Sequence, residues 1–469
     1  MRARAGLCIA LLLAGGCSLA PRYERGAMPV PADFPSGPSY PTADYAGVPS
    51  LSYQALFTDQ RLQRIIALAL DNNRDLRQAV ANIENARAQY RIQRAALFPQ
   101  LDAGADLSRQ EGGSSPDSTT ANANVSITAY ELDLFGRLRS QSEAARNSFL
   151  SSQATAQAVR LTLIGDIAQA WLGYAADLSL RDIAGRTLET AQRSVTLTDA
   201  RLRGGVAPRS DLRQAQTILA TAQSDQARYT TAIAQDRNLL QLLAGAPIDD
   251  ALLPGPIEAV VDTIGTPPTD LSTEVLLRRP DIMAAEYDLR AANAQIGAAR
   301  AALFPRITLG ALFGLVGGSL EALFGDRGQQ NWQAGASATY PIFSGGAGRA
   351  GVVQSEAQRD ALLAAYEKAI QTGYREVADA LARQGTMQDQ VAADRLNLDA
   401  SEDAYRLADA RYRGGVDSFL QALDAQRGFY AAQGNLVTTL LEAATNRVTL
   451  YRALGGEAAE RDAEGAPSE

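Results

Sequence analysis

The chain states the same plan twice. The segment Ala95-Ala96-Leu97-Phe98-Pro99-Gln100-Leu101 returns as Ala301-Ala302-Leu303-Phe304-Pro305-Arg306-Ile307, and Ala200-Arg201-Leu202-Arg203-Gly204-Gly205-Val206 returns as Ala410-Arg411-Tyr412-Arg413-Gly414-Gly415-Val416. The offsets are about 206 and about 210 residues, one register held across half of the sequence. A chain of 469 residues would ordinarily suggest about three domains. The tandem duplication instead requires a fold assembled from two copies of one large unit.

Composition removes several function classes. The chain has 44 basic and 52 acidic side chains, a net charge of −8, so nothing in its charge draws nucleic acid. It contains no histidine, which removes the commonest general base and metal ligand. Cys8 and Cys17 are the only cysteines, too few for a disulfide framework or a thiolate metal cluster. An enzyme, a metal site and a bound cofactor are all disfavoured.

Both cysteines lie in a targeting segment. Arg2 and Arg4 form a basic start, and Leu7 to Ala14 is an apolar run too short to span a bilayer as a helix. It leads into Leu13-Ala14-Gly15-Gly16-Cys17-Ser18, which resembles a bacterial lipobox: residues 1–16 are the signal peptide and Cys17 is the lipidated first residue. The alternative is an ordinary secretory signal with an incidental cysteine. Residues 17–58, rich in Pro, Ser, Gly and Tyr, read as an extended tether or wrapping segment.

The first repeat occupies 59–254, a linker 255–270, the second repeat 271–456, and a flexible tail 457–469. Leu62, Ile65, Ile66, Ala69 and Leu70 recur at helical spacing in a helix expected to continue to about Leu97, where Phe98-Pro99 ends it. Leu101, Ala103, Ala105 and Leu107 then alternate with Asp102, Asp106 and Ser108, the period of a strand with one apolar face. Glu111 to Thr120 reads as a loop, followed by a second alternating run through Ala123, Val125, Ile127 and Ala129. In the second copy Ile307, Leu309, Ala311 and Phe313, and then Trp332, Ala334, Ala336, Ala338 and Tyr340, repeat the pattern. Runs of about ten residues suit tilted strands that cross a bilayer, and Trp332 and Tyr340 sit where interfacial aromatics belong. A soluble antiparallel sheet would show the same alternation. Four strands cannot close a transmembrane barrel, so spanning strands imply a barrel shared by several chains.

Proline is absent from Arg137 to Arg203 and from Arg349 to Arg413, long enough for helices of roughly 100 Å. Ile164, Ile167, Trp171, Tyr174 and Leu178 step by threes and fours, as do Ile370, Tyr374, Val377 and Leu381. Each helix ends in Arg-x-Arg-Gly-Gly-Val, where the glycines permit a tight turn and the arginines suit the negative helix end. Ser210 and Ser418 are candidate caps of the helices that follow. Two similar hairpin tips, Arg203, Gly204, Gly205, Val206 and Arg413, Gly414, Gly415, Val416, suggest a docking role beside the turn that any hairpin needs. Gly346-Ala347-Gly348-Arg349-Ala350-Gly351 matches a dinucleotide fingerprint, but the helix after it is far too long for a β-α-β crossover, and nucleotide binding is rejected.

Taken together, Cys17-Ser18-Leu19-Ala20-Pro21, Asn73-Arg74-Asp75-Leu76-Arg77, Arg94 to Pro99, Glu131 to Arg139, Asp211 to Thr217, Arg278-Arg279-Pro280-Asp281-Ile282, Gly297-Ala298-Ala299-Arg300 and Leu423 to Arg427 resemble the TolC-like outer-membrane factors, above all the OprM/NodT group of lipoprotein channels in tripartite drug-efflux pumps. The resemblance implies a mixed, mostly α fold. A homotrimer would contribute four strands per chain to a 12-stranded outer-membrane β-barrel, above a periplasmic α-helical barrel. It further implies a passive duct in a Gram-negative outer membrane, anchored in outer-membrane lipid and joined to a periplasmic adaptor and an inner-membrane RND transporter. The hairpin tips would meet the adaptor, and acids beyond the second tip would ring the aperture. By position Asp424 is that acid, while Gln421 stands where a second ring would lie. Asp211 matches a residue that helps lock the closed state in the TolC pattern; its basic partner is replaced by Asp417, leaving Arg209, Arg411 or Arg413 as substitutes. Alternatives are a type I secretion or metal-export component, or a periplasmic coiled-coil scaffold.

Overall fold

The computed structural model describes residues 18–41, 52–112, 118–269, 271–325 and 329–457. Cys17 and the tail from 458 lie outside them. The main helices are α1 (Gln60–Asn72), α2 (Arg74–Ala95), α3 (Arg137–Arg203), α4 (Arg209–Ala244), α5 (Pro280–Ala301), α6 (Ala347–Arg413) and α7 (Phe419–Ala453). The strands are β1 (Asp102–Gln110), β2 (Ser118–Leu132), β3 (Arg306–Gly317) and β4 (Gln329–Thr339). Each repeat thus supplies two strands, and α3 and α6 are both 67 residues long.

The chain divides into two compact units. One gathers Ala81–Ala154 and Ala284–Lys368 with the amino-terminal residues up to Ala27; it contains the sheet. The strands lie in the order β1-β2-β3-β4, every neighbouring pair antiparallel. The expected loop to Thr120 is shorter than its composition suggests. Ser118, Thr119 and Thr120 are drawn into β2 because their partners Gln110, Arg109 and Ser108 are already extended. A bulge between Ile127 and Tyr130 shifts the β2–β3 register. Below it, Asp133 accepts hydrogen bonds from the backbone N–H groups of Leu138 and Arg139, satisfying the first turn of α3. Phe135, in the same corner, stacks on Phe304 with ring centroids 4.7 Å apart.

The amino-terminal segment is held on α5 by a buried carboxylate. Glu286 accepts hydrogen bonds from Arg25 Nη2 at 2.7 Å, Arg290 Nη2 at 2.7 Å and the Tyr23 hydroxyl at 3.1 Å. Burial alone would raise the Glu286 carboxyl, but the two guanidiniums hold it below the usual glutamate value. Asn293 donates to the Pro21 carbonyl, and at Gly297 a Cβ would fall 2.7 Å from Ala20 Cβ. The segment therefore follows α5 closely only because position 297 has no side chain.

The second unit holds Met28–Val80, Thr155–Met283 and the chain from Ala369 onward. Its core joins Leu62, Ile65 and Ile66 of α1 to Ile164, Ile167 and Trp171 of α3 and to Val448 and Tyr451 of α7. The expected linker is part of this core, since Ile257, Val260, Val261 and Ile264 are buried there, and Trp171 Nε1 donates to the Leu252 carbonyl. Buried Arg279 donates to the Ala453 carbonyl at 2.7 Å and pairs with Asp281 and Glu376. Residues 31–40 are fastened by Thr273, which donates to the Ala32 carbonyl, by the Phe34–Tyr374 stack, and by Gly385, where a Cβ would lie 2.5 Å from the Ser39 carbonyl.

The first helix does not run unbroken to Leu97. Asn73 interrupts it: its Oδ1 accepts from the Leu76 N–H, starting α2, while its Nδ2 reaches the Leu243 carbonyl at the end of α4. A side chain that serves two helix ends replaces the continuous backbone ladder.

Candidate functional site

Register gives the sheet two unlike faces. Ala103, Ala105 and Leu107 lie opposite Val125, Ala123 and Ala121; those residues face Phe313, Leu315 and Gly317; and Phe313 is partnered in turn by Trp332. Paired residues share a face, so this one is apolar from β1 to β4, with Arg109, Thr119 and Gln330 as polar exceptions at one end. The other face carries Asp102, Asp106, Asn122, Asn124, Ser126, Thr308, Gln333 and Ser337, with Leu312 and Val316 as apolar exceptions. Polar side chains bridge strands on this face: Asn122 donates to Asp106 at 2.9 Å, and the Thr308 and Ser337 hydroxyls are 2.7 Å apart. At its lower end Glu131 accepts two hydrogen bonds from Arg137 and pairs with Arg306.

Both edge strands, β1 and β4, are exposed along their whole length. Among the described residues no helix is long and apolar enough to cross a membrane. The sheet is the element with the required apolar face, and its edges are unfinished.

The tips lie in the second unit. At the end of α3 the Gly205 N–H donates to the Leu202 carbonyl and the Val206 N–H to the Arg201 carbonyl; Gly205 has φ +75°. Gly415 repeats this at the end of α6 with φ +72°, its N–H on the Tyr412 carbonyl and that of Val416 on Arg411. These are paired Schellman turns, which satisfy carbonyls that a helix end otherwise leaves open. The turns project Val206, 78% exposed, and Val416, 65% exposed. Arg203 pairs with Asp199 at 2.6 Å and Arg413 with Asp409 at 2.8 Å. Gly204 and Gly414 are exposed within the turns.

The two hairpins are clamped just behind their tips. Ala191 of α3, Ala215 and Ile218 of α4, Tyr412 of α6, and Phe419, Ala422 and Leu423 of α7 form one buried cluster. The Arg201 guanidinium lies 4.6 Å from the Tyr412 ring centroid, and that ring packs on Phe419 at 5.3 Å. Neither contact shows in the sequence motifs; the one trace is the divergence of the repeats, with Tyr412 for Leu202 and Phe419 for Arg209.

The proposed caps behave differently from expectation. Pro208 occupies the N-cap of α4, so Ser210 falls inside the helix and donates to Asp211 at 3.3 Å; Ser418 holds the N-cap of α7 without a side-chain bond. Asp211 is half-buried in the first turn of α4, and Asp424 is exposed on α7 beside buried Leu423. Of the basic residues considered for Asp211, Arg411 is engaged by Asp417 at 3.0 Å and Arg413 by Asp409. The Arg411 guanidinium holds the Asp417 carboxyl below the usual aspartate range. Behind the tips, burial together with the neighbouring Asp177 carboxyl pushes Asp236 up to about 6, a pairing of α3 with α4 that helical spacing could not disclose.

Gly345 and Gly346, at φ +59° and +89°, turn the chain from β4 into α6, and all neighbouring strands are antiparallel. The fingerprint-like glycines therefore form a corner, with no parallel crossover for a nucleotide.

Known proteins share this arrangement. A solvent efflux pump outer membrane protein, SrpC of Pseudomonas putida, is 41% identical, the match covering 95% of this chain and 97% of that protein. Outer membrane protein OprJ of Pseudomonas aeruginosa is also 41% identical, over 96% of this chain and 95% of its own. The open-state MtrE outer membrane channel of Neisseria gonorrhoeae superposes with a TM-score of 0.84 at 36% identity, covering 94% of this chain and 98% of that one. The family described as outer membrane efflux protein matches residues 65–246 and again 271–456, one match per repeat. The chain belongs to the outer membrane efflux protein family.

Proposed function

We infer that this chain is the outer-membrane channel of an RND-type efflux pump, a non-enzymatic duct for solvents and drugs. The cargo class follows its likeness to solvent and antibiotic efflux proteins. The carrying observation is the sheet: one face apolar through all four strands, the other polar, both edges bare. In lipid each bare edge would leave a row of backbone groups unpaired at several kcal/mol apiece, so the strands must be completed by further copies. Three chains give twelve strands, with the apolar face toward lipid and the polar face around water.

In this reading the Schellman turns at Arg203–Val206 and Arg413–Val416 are sockets for a periplasmic adaptor, which links the channel to an inner-membrane RND transporter. Asp424, repeated in three chains, lines the periplasmic aperture and favours cations, and Asp211 belongs to the same mouth. Cys17, acylated, ties the amino terminus to outer-membrane lipid, and its attachment one residue before Ser18 continues into the segment fastened to α5.

Detergent-purified protein should have the native mass of a trimer and should conduct ions when added to a planar bilayer. A monodisperse monomer without conductance would reject the channel reading.

A further inference from the structure

Duplication lets one seam of the sheet report on another. Within the chain β2 meets β3, the last strand of the first repeat against the first strand of the second. At the foot of that seam Phe135, which follows β2, stacks on Phe304, which precedes β3. Their counterparts in the other repeat are Phe343, which follows β4, and Phe98, which precedes β1. Within one chain these two rings are not stacked on each other. Phe343 is 91% exposed, as is Ile342 beside it, and Phe98 is 64% exposed. So large an apolar exposure in a short corner marks a surface covered by something else.

Strand polarity indicates what covers it, and this step rests on the trimeric channel reading above. Four antiparallel strands leave β1 and β4 running in opposite directions, so β4 of one copy fits β1 of the next as an antiparallel neighbour. The end of β4 then lies level with the start of β1, bringing Phe343 to the height of Phe98. The repeat relation also supplies a register. Tyr130 is opposite Leu309 and, in the same register, Phe135 is level with Phe304; carried over, Ala338 would be opposite Ala103 of the partner subunit and Phe343 level with Phe98 of the partner subunit. That pairing keeps Trp332, Ala334, Ala336 and Ala338 on the same face as Ala103, Ala105 and Leu107, whereas a slip of one residue would set apolar against polar. A receiving groove is present: about 790 Å³, open, and lined by Ile92, Phe98, Pro99 and Tyr130 among others.

We propose that Phe343 of each chain stacks on Phe98 of the partner subunit, with Ile342 beside it, so that the seam between copies is built like the seam within a chain. The apolar collar at the foot of the barrel is then made of six equivalent aromatic pairs, three inside chains and three between them.

The test uses the full chain, whose natural cysteines both lie within the first 17 residues. The double variant Phe343→Cys with Phe98→Cys, treated with a short bismaleimide in membranes, should give covalent dimers and trimers on denaturing gels. Each single variant should run as a monomer. The pair Phe135→Cys with Phe304→Cys should link within one chain and leave the size unchanged. Hydroxyl-radical footprinting of the unsubstituted protein gives an independent reading: in assembled channels Phe343 and Phe98 should be protected as well as Phe135 and Phe304. A trimeric native mass with no interchain link and a lipid-reactive Phe343→Cys would overturn the seam, making the corner a lipid anchor, and leave the trimer standing. A monomeric native mass would overturn both.

Discussion

Three glycines with nearly the same backbone conformation separate a docking role from a folding role. Gly205, Gly415 and Gly245 have φ of +75°, +72° and +66°. A Cβ at either tip position would meet nothing within 4 Å, whereas at Gly245 it would lie 2.4 Å from the Asn72 carbonyl oxygen and 2.8 Å from its carbon. For Gly205→Ala with Gly415→Ala the cost is the left-handed backbone alone, about 1 kcal/mol at each turn. That cost is local, because the released groups are exposed last-turn carbonyls that water can satisfy. For Gly245→Ala the same backbone cost is joined by overlap with the main chain between α1 and α2, which Asn73 ties to α4; together these reach roughly 3 kcal/mol. Differential scanning calorimetry of detergent-solubilised protein should therefore show the tip pair melting close to the parent and Gly245→Ala several degrees lower. If the adaptor binds the closed turns, re-forming both costs about 2 kcal/mol, a loss of adaptor affinity on the order of tenfold to thirtyfold. Surface-captured channel titrated with adaptor measures that loss, and solvent or antibiotic tolerance of cells reports its effect on export. Undiminished binding and export by the tip pair would refute the docking role. A melting shift as large as that of Gly245→Ala would refute the claim that the tips are energetically local.

Asp424→Asn should move the reversal potential of single channels toward zero in a salt gradient, because an exposed carboxylate is lost from each of three chains; an unmoved potential removes Asp424 from the aperture. Asp236→Asn should raise the melting temperature at pH 7.5 and change it little at pH 4. The folded Asp236 carboxyl sits near 6, above the ordinary aspartate value of 3.8, so the folded state holds the extra proton and the parent loses stability as pH climbs through that window. Equal shifts at both pH values would refute the pairing with Asp177.

Local signals carried much of the architecture. Freedom from proline and a terminal Gly-Gly defined α3 from Arg137 to Arg203, since both act through the residue's own backbone. Strand alternation at Ile307–Phe313 and Trp332–Ala338 was equally legible, because a sheet with one apolar face imprints a period of two. What escaped depends on distant partners. The break at Asn73 is explained by the Leu243 carbonyl, 170 residues on. Thr119 and Thr120 look like loop until Arg109 and Ser108 are paired with them. The Arg201–Tyr412 clamp needs two repeats folded side by side, and a search for repeated motifs passes over the place where the copies differ. Of the candidate site, the turns were readable from composition, whereas the engagement of Arg411 by Asp417 could only be seen once the second tip had closed.

The Phe135–Phe304 stack also bears on how such a chain arose. A contact that joins consecutive halves of one polypeptide, and has its counterparts waiting bare at the chain's two flanks, has the form of an interface that once lay between separate molecules. Fusion of two ancestral half-length genes would have turned every second contact of a ring into a covalent neighbour. The ring then needs half as many independent encounters to close, and each internal seam forms at the high effective concentration of a tether, whatever the abundance of the protein. It also frees the halves to diverge. A six-copy ring must keep every corner identical, whereas this chain can place Phe419 at one tip and Arg209 at the other.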